Sequence, residues 1–175
     1  MTVSERGYGS AGIERRNMGL DIRVFKGLKK VNNPELDEYG YPINEYTQWK
    51  PGAGMEWSES VWPGKGKPLN YNEVYEYEKS EYFHAGSYHG YNWWRDCLNE
   101  FAGNVAFQEL IDFADNEGVI GSELSKKLYE DFRIYHDRAK EYSEKIADGL
   151  WWFDKYCEWE KAFEMAKDDG AVEFG

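Results

Sequence analysis

Apolar and polar residues alternate at the start of the patterned chain. Leu20, Ile22 and Val24 are separated by polar residues, and a period of two places alternate side chains on opposite faces of a strand. The pattern predicts a strand with one buried face. We expect residues 18–175 to form a single α+β domain. Residues 1–17 are polar and glycine-rich without a period, which predicts a flexible N-terminal extension.

The next region, residues 32–72, contains all five prolines. A segment this long without periodicity is either functional or partly mobile. Its tryptophans, Trp49, Trp57 and Trp62, argue against disorder because disordered segments are poor in aromatic residues. The following sequence "EVYEYEKSEYFHAG" is rich in β-favouring side chains and predicts two short strands around a turn near Lys79 and Ser80.

After Gly90 the apolar residues recur at the three- and four-residue intervals of amphipathic helices. The pattern predicts helices over residues 92–102, near residues 107–114, after Ser122 as an N-cap, and after Asp148–Gly149. The long stripes are Leu124, Leu128, Phe132, Tyr135, Ala139 and Tyr142, then Trp152, Tyr156, Trp159 and Phe163. Residues 171–174 are predicted to form a short edge strand. The fold class is therefore α+β, with short antiparallel strands and long loops in the N-terminal half and about four helices in the C-terminal half.

The composition is unusually aromatic, with eight Trp, fourteen Tyr and nine Phe. Large rings must build much of the core, and each indole N–H or phenol needs a partner when buried. Cys97 and Cys157 are predicted to be free, small core residues of a reducing compartment. No apolar run approaches the length of a membrane span, and the N-terminus has no secretory apolar region. These features favour a cytoplasmic protein without a membrane partner.

The net charge of −12 argues against direct nucleic-acid binding, which requires Lys and Arg to displace counterions. It permits an acidic surface that docks on a basic partner protein. The alternative interpretation is ordinary solubility.

The sequence "AGSYHGYNWWR", residues 85–95, has the strongest pattern of candidate chemistry. Ser87 or Asn92 can cap a helix whose first N–H groups favour an anion, and Arg95 is a bidentate partner for phosphate or carboxylate. Aromatic faces nearby suit stacking of a planar group. The predicted ligand-binding residues are His84, Ser87, Tyr88, Tyr91, Asn92, Trp93 and Arg95. The alternative is a capped helix whose Arg95 pairs with a buried carboxylate.

A second part of this site is predicted at Asp115 and Glu117, which follow Asp112 near a helix end. Their charges oppose the helix dipole, so Arg95 or a cation would compensate them. The spacing does not match a calcium loop, and His84 and His89 lack the further ligands of a zinc site. We therefore predict no metal and no cofactor. His84 is a candidate general base, but no nucleophile motif or phosphate loop accompanies it.

Four segments resemble a family of small proteins encoded in bacteriophage and bacterial genomes. They are "MGLDI", "AGSYHGYNWWR", "DFADNEGVIGSELSKKLYEDF" and "WEKAFEMAKDDGAVEF". The family pattern commonly has Ser at the position of His89 and Cys at the position of Asn116. The resemblance implies an accessory protein that acts in the bacterial cytoplasm, and it implies no mechanism.

Three functions follow from these patterns. The first is a non-enzymatic phage-type binding protein that sequesters a small anionic, nucleotide-like ligand as counter-defence. The second is an acidic protein-binding inhibitor of a host defence or nucleic-acid enzyme. The third is a small hydrolase or transferase that uses His84 with Asp115 and Glu117. Homo-oligomer formation is left open by the sequence.

Overall fold

A computed structural model describes residues 19–113 and 118–175 of the chain. The strands are β1 (Leu20–Lys26), β2 (Lys29–Lys30), β3 (Gln48–Trp49), β4 (Tyr75–Glu76), β5 (Lys79–Gly86), β6 (Gly118–Gly121) and β7 (Ala171–Phe174). The helices are α1 (Gly52–Val61), α2 (Tyr88–Ala102), α3 (Gln108–Asp112), α4 (Ser122–Ser143) and α5 (Gly149–Ala166). The predicted α+β class is confirmed. The predicted extension, residues 1–17, lies outside the described residues, as do Asp115 and Glu117.

Four strands form the larger antiparallel sheet, in the order β5-β1-β7-β6. Ile22 of β1 lies opposite Phe83 on one side and opposite Phe174 on the other. The prediction of an edge strand at residues 171–174 is wrong, because β7 lies between β1 and β6. Ala171 and Val172 are fully buried, as expected for a strand that is paired on both sides and not for an exposed strand edge.

The smaller antiparallel sheet has the order β2-β4-β3. Strands β4 and β5 therefore belong to different sheets, although they are close in the sequence. The turn predicted near Lys79 and Ser80 is wrong, since both residues lie in β5 opposite β1. The backbone N–H of Glu78 donates to the carbonyl of Lys26 at 2.9 Å, so the pairing with β1 begins where a local turn was expected.

Two helix starts differ from the sequence prediction. Helix α2 begins at Tyr88, because Ser87 is its cap and its hydroxyl accepts the Gly90 N–H at 3.0 Å. Ser122 is the first residue of α4, and Gly121 occupies the cap position in extended backbone directly after β6. Helix α1 was not predicted. Its buried residues include only small or flexible side chains, which give no helical apolar stripe in the sequence.

The larger sheet separates two packed layers. Leu20, Ile22 and Val24 face helices α2, α4 and α5 in the main core. The alternate residue Phe25 instead packs with Trp49, beneath the layer formed by the small sheet and α1. The stripe residues of α5 that were predicted from the sequence, Trp152, Tyr156, Trp159 and Phe163, are fully buried. No described helix is long and apolar enough to cross a membrane.

Candidate functional site

The aromatic residues at the start of α2 belong to the core. Tyr91 and Trp94 are buried, and the Tyr91 hydroxyl donates to the carbonyl of Phe113 at 3.3 Å. The Trp94 indole N–H donates to the carbonyl of Trp152 at 3.1 Å, and the Trp152 indole N–H donates back to the carbonyl of Trp94 at 3.2 Å. This reciprocal pair fastens α2 to α5. Buried polar groups of these rings are thus satisfied by the protein itself.

Arg95 is held by protein acceptors on two sides. One terminal nitrogen donates to the carbonyl of Ile111 at 2.6 Å, and the other donates to the Asn92 side-chain oxygen at 2.7 Å. Its guanidinium carbon lies 5.0 Å from the centre of the Tyr91 ring. Ile111 belongs to the last turn of α3, where a cation is favourable because helix carbonyls point outward. The carboxylates proposed as alternative partners lie outside the described residues.

The other predicted site residues lie around this helix start. The His84 Nδ1 lies 2.7 Å from an Asp21 carboxylate oxygen, and both exposed side chains lie on the paired strands β5 and β1. Trp93 is half-buried against Trp151, and Tyr88 is exposed. Arg95 thus contacts α3, whereas Trp93 contacts α5 and His84 contacts β1, so these predicted residues lie against different elements. Ligand binding at this position stays a prediction.

A larger cleft lies on the opposite face of the four-stranded sheet, and it has a volume of about 710 Å³. Strands β1, β6 and β7 form its floor, and residues 37–55 form its opposite wall. None of its residues was predicted from the sequence to belong to a site. The side chains that give the cleft its chemistry are Arg23, Tyr39, Tyr41, Glu45, Trp49, Lys50 and Glu173.

Arg23 and Glu173 form the polar floor of the cleft. They are paired in register on β1 and β7, so their side chains leave the same face of the sheet. The Trp49 indole N–H donates to the Glu173 carboxylate at 2.6 Å. Burial raises the pKa of Glu173, while that hydrogen bond and the positive charge of Arg23 act in the opposite direction.

The Arg23 guanidinium is held among aromatic rings. One terminal nitrogen donates to the Tyr77 hydroxyl at 3.0 Å, and the guanidinium carbon lies 4.5 Å from the Phe25 ring centre and 5.2 Å from that of Tyr82. The Arg23 Nε is buried and has no hydrogen-bond partner within the described ranges. An unpaired buried donor is costly, and among the described residues the Arg95 Nε is buried and unpaired in the same way.

The wall of the cleft is a well-bonded turn. The Asp37 carboxylate accepts the backbone N–H groups of Tyr39 and Tyr41, each at 2.9 Å. The Lys50 ammonium donates to the carbonyl of Gly40 at 2.7 Å. Gly52 has a φ of +61°, and a Cβ there would lie 2.5 Å from the Tyr41 hydroxyl. The Tyr41 ring therefore packs directly against Gly52, and any larger residue at position 52 would displace it.

The lining of the cleft combines charges of both signs with an aromatic ring face. Arg23 and Lys50 supply positive charge, Glu45 and Glu173 supply negative charge, and Trp49 supplies a ring face. Among residues 19–113 and 118–175, no group of three His, Cys, Asp or Glu side chains is arranged to hold a metal ion. The arrangement can receive a planar polar molecule that offers both hydrogen-bond donors and acceptors.

Little in the local pattern of residues indicates this site. Arg23 and Glu173 occupy polar positions of alternating strands, which are normally solvent-facing, and they lie far apart in the chain. Trp49 within a proline-rich segment was the available signal, since it showed that the segment packs. No protein-family model, curated protein or solved structure matches the chain. The resemblance to phage-encoded proteins therefore stays a prediction.

Proposed function

We propose that the protein is a non-enzymatic binding protein that holds a small ligand in the cleft between the four-stranded sheet and residues 37–55. The observation that carries this proposal is the polar floor, where the Arg23 guanidinium and the half-buried Glu173 carboxylate are neighbours on paired strands and both line the cleft. Clefts with ring faces and a few fixed polar groups are typical small-molecule sites.

The chemistry of the floor selects the class of ligand. Arg23 offers a donor, and the Glu173 carboxylate offers an acceptor beside it. A planar group with an acceptor next to a donor, such as the edge of a nucleobase, matches this pair. Trp49 and Tyr41 supply ring faces for stacking. The nucleotide-like ligand predicted from the sequence thus fits through its base, because the carboxylates of the cleft oppose a large negative charge.

The biological setting of the proposal rests on the sequence resemblance. An accessory protein of phage type, acting in the bacterial cytoplasm, would use such a cleft to sequester a nucleotide-like signal as counter-defence. Binding without turnover suffices for that role. The absence of a nucleophile motif in the sequence supports a binding protein over a hydrolase or transferase.

The proposal is tested by thermal stabilisation with a panel of nucleosides and their 5′-monophosphates. Any ligand that raises the melting temperature is then titrated against Arg23→Gln and Glu173→Gln. Both variants remove one charge of the floor, and glutamine matches the shape of glutamate but is shorter than arginine. We expect about tenfold weaker binding, since one lost charged hydrogen bond is of that size. Native mass spectrometry of protein purified from expressing cells checks for a retained ligand.

A matched control is Arg133→Gln, because Arg133 is exposed on α4 and pairs only with the nearby Glu130 among the contacts described. We expect this variant to bind as the unmodified protein does. Equal binding by Arg23→Gln would contradict the cleft as the site. Loss of binding in Arg95→Lys with unchanged binding in Arg23→Gln would instead favour the segment at the start of α2.

A further inference from the structure

A second exposed surface is formed by residues 35–46, which we call the acidic hairpin. Its chain reverses between Leu36 and Pro42, which form an antiparallel bridge. It exposes an unusual number of large apolar side chains: Leu36 is 45% exposed, Tyr39 77%, Ile43 61% and Tyr46 92%. A concentration of exposed apolar groups on one short segment is typical of an interaction site.

The acidic hairpin is held in one conformation by backbone bonds. The N–H of Ile43 donates to the carbonyl of Glu35 at 3.0 Å, and the N–H of Asp37 donates to the carbonyl of Tyr41 at 2.8 Å. The Tyr77 hydroxyl anchors its far end, 2.9 Å from the carbonyl of Tyr46. A surface of rigid aromatic side chains loses little conformational entropy on binding.

The charged side chains of the acidic hairpin itself are all carboxylates, and the Lys50 ammonium lies against the hairpin at the carbonyl of Gly40. Between Val31 and Trp49 the chain contains four carboxylates and no Lys, Arg or His; the carboxylates are Glu35, Asp37, Glu38 and Glu45. All four residues are exposed. Basic side chains are the complementary partners of such a surface.

A groove beside the hairpin shows how a basic side chain would be received. It has a volume of about 330 Å³, and its lining includes Val31, Pro34, Ile43 and the acidic Glu35. Lys and Arg place an apolar stem along such a lining and keep the charged head at its edge. The groove therefore has an apolar interior and a carboxylate that suits the cationic end.

We infer that the acidic hairpin docks a basic segment of a partner protein, with Lys or Arg stems in the groove and against Ile43 and Tyr46. Their charged heads lie beside Glu35 and Glu38. Peptide docking can be tested independently of ligand binding in the cleft, because the four residues named for docking do not line the cleft. They are Glu35, Glu38, Ile43 and Tyr46. The inference gives a location to the acidic, protein-binding function predicted from the net charge.

The test uses the full chain against a display library of random peptides, followed by fluorescence anisotropy with an enriched peptide. Two double variants separate the contributions: Ile43→Asn with Tyr46→Ser, and Glu35→Gln with Glu38→Gln. We expect enrichment of peptides rich in Lys and Arg. We expect each double variant to weaken binding by about tenfold or more, the size of a hot-spot loss.

The matched control is Ile134→Asn on α4, because Ile134 is also 61% exposed. This variant should bind the peptide as the unmodified protein does, and binding should weaken as salt is added. If the apolar double variant melts lower, Tyr46→Ser alone gives the comparison. Enrichment without basic residues, or binding that survives both double variants, overturns the inference. So does self-association in analytical ultracentrifugation that Tyr46→Ser abolishes, since a second copy would then occupy the surface.

Discussion

The two faces of the four-stranded sheet are built from alternate residues of the same strands, yet they have opposite properties. Ile22 and Phe174 face the helices and are buried in an aromatic core. Arg23 and Glu173, one position away, face the cleft. Three long helix surfaces cover the first side, whereas two-residue strands, one short helix and loops cover the second. A layer of short elements leaves space that side chains do not fill.

A high density of aromatic residues does not by itself mark a binding site in this protein. The most aromatic stretch of the sequence lies at the start of α2, where rings pack and their polar atoms bond to backbone carbonyls. Unpaired buried atoms also occur on this side, since the Arg95 Nε and the Trp159 indole nitrogen have no partner among the residues the structure describes. The cleft has fewer rings, but it combines them with a cation and a carboxylate that are neighbours on the sheet. Unfilled space beside charged side chains, more than ring content, identifies the candidate site.

The largest expected effect is on the helix side. Phe132 is fully buried and lies near the rings of Phe107, Tyr156 and Phe163. Phe132→Ala should lower the free energy of unfolding by about 3–5 kcal/mol, because the lost ring leaves a cavity. Urea unfolding measures this value. A loss below about 1 kcal/mol, nearer to what surface substitutions cost, would show that this side is not closely packed.

A smaller loss is expected for Arg95→Ala, about 1–3 kcal/mol, because the carbonyl of Ile111 and the Asn92 amide lose a charged donor. Urea unfolding of Arg133→Ala, an exposed arginine, is the control and should change little. If Arg95→Ala unfolds as the unmodified protein does but loses ligand binding, the start of α2 would be a site after all. The contrast between the two faces would then fail.

On the cleft side, Glu173→Gln should change how stability depends on pH. The raised pKa means that the folded protein holds this proton more tightly than the unfolded chain, so the carboxyl's contribution falls as pH rises above its ordinary value of 4.5. Glutamine can still accept the Trp49 N–H but does not ionise. The melting temperature of the variant should therefore exceed that of the unmodified protein by an amount that increases as pH rises toward neutrality. In acid the two melting temperatures should differ little.

Melting curves across this pH range check the prediction, with Glu76→Gln on the exposed face of β4 as the control. The control should show no growing difference. A gain for Glu173→Gln that grows in acid instead would mean that this carboxylate is stabilised by the fold, and that the floor of the cleft is already satisfied.

The smallest effect is expected for Tyr46→Ser, within about 0.5 kcal/mol in urea unfolding, because an exposed side chain loses little on substitution. Its loss should appear in peptide binding alone. A clear fall in stability would show that the acidic hairpin packs against another part of the chain and is not a free surface.

The sequence by itself determined the features that depend on local periodicity. Alternation at Leu20, Ile22 and Val24 located β1, and the stripes of α4 and α5 located the long helices with their buried faces. These predictions succeed because a buried face must carry apolar side chains at the repeat of its own element. The same reasoning missed α1, whose buried side is made of small residues without an apolar stripe.

Only the tertiary structure decided which elements are neighbours. Residues 171–174 read as a strand from sequence, but their central position follows from the pairing of β7 with β1 and β6. That pairing brings Arg23 beside Glu173 and leaves room beneath residues 37–55 for the cleft. Periodicity reports which side of an element is buried and carries no information on what covers it. The site depends on contacts between distant segments, which the local pattern does not specify.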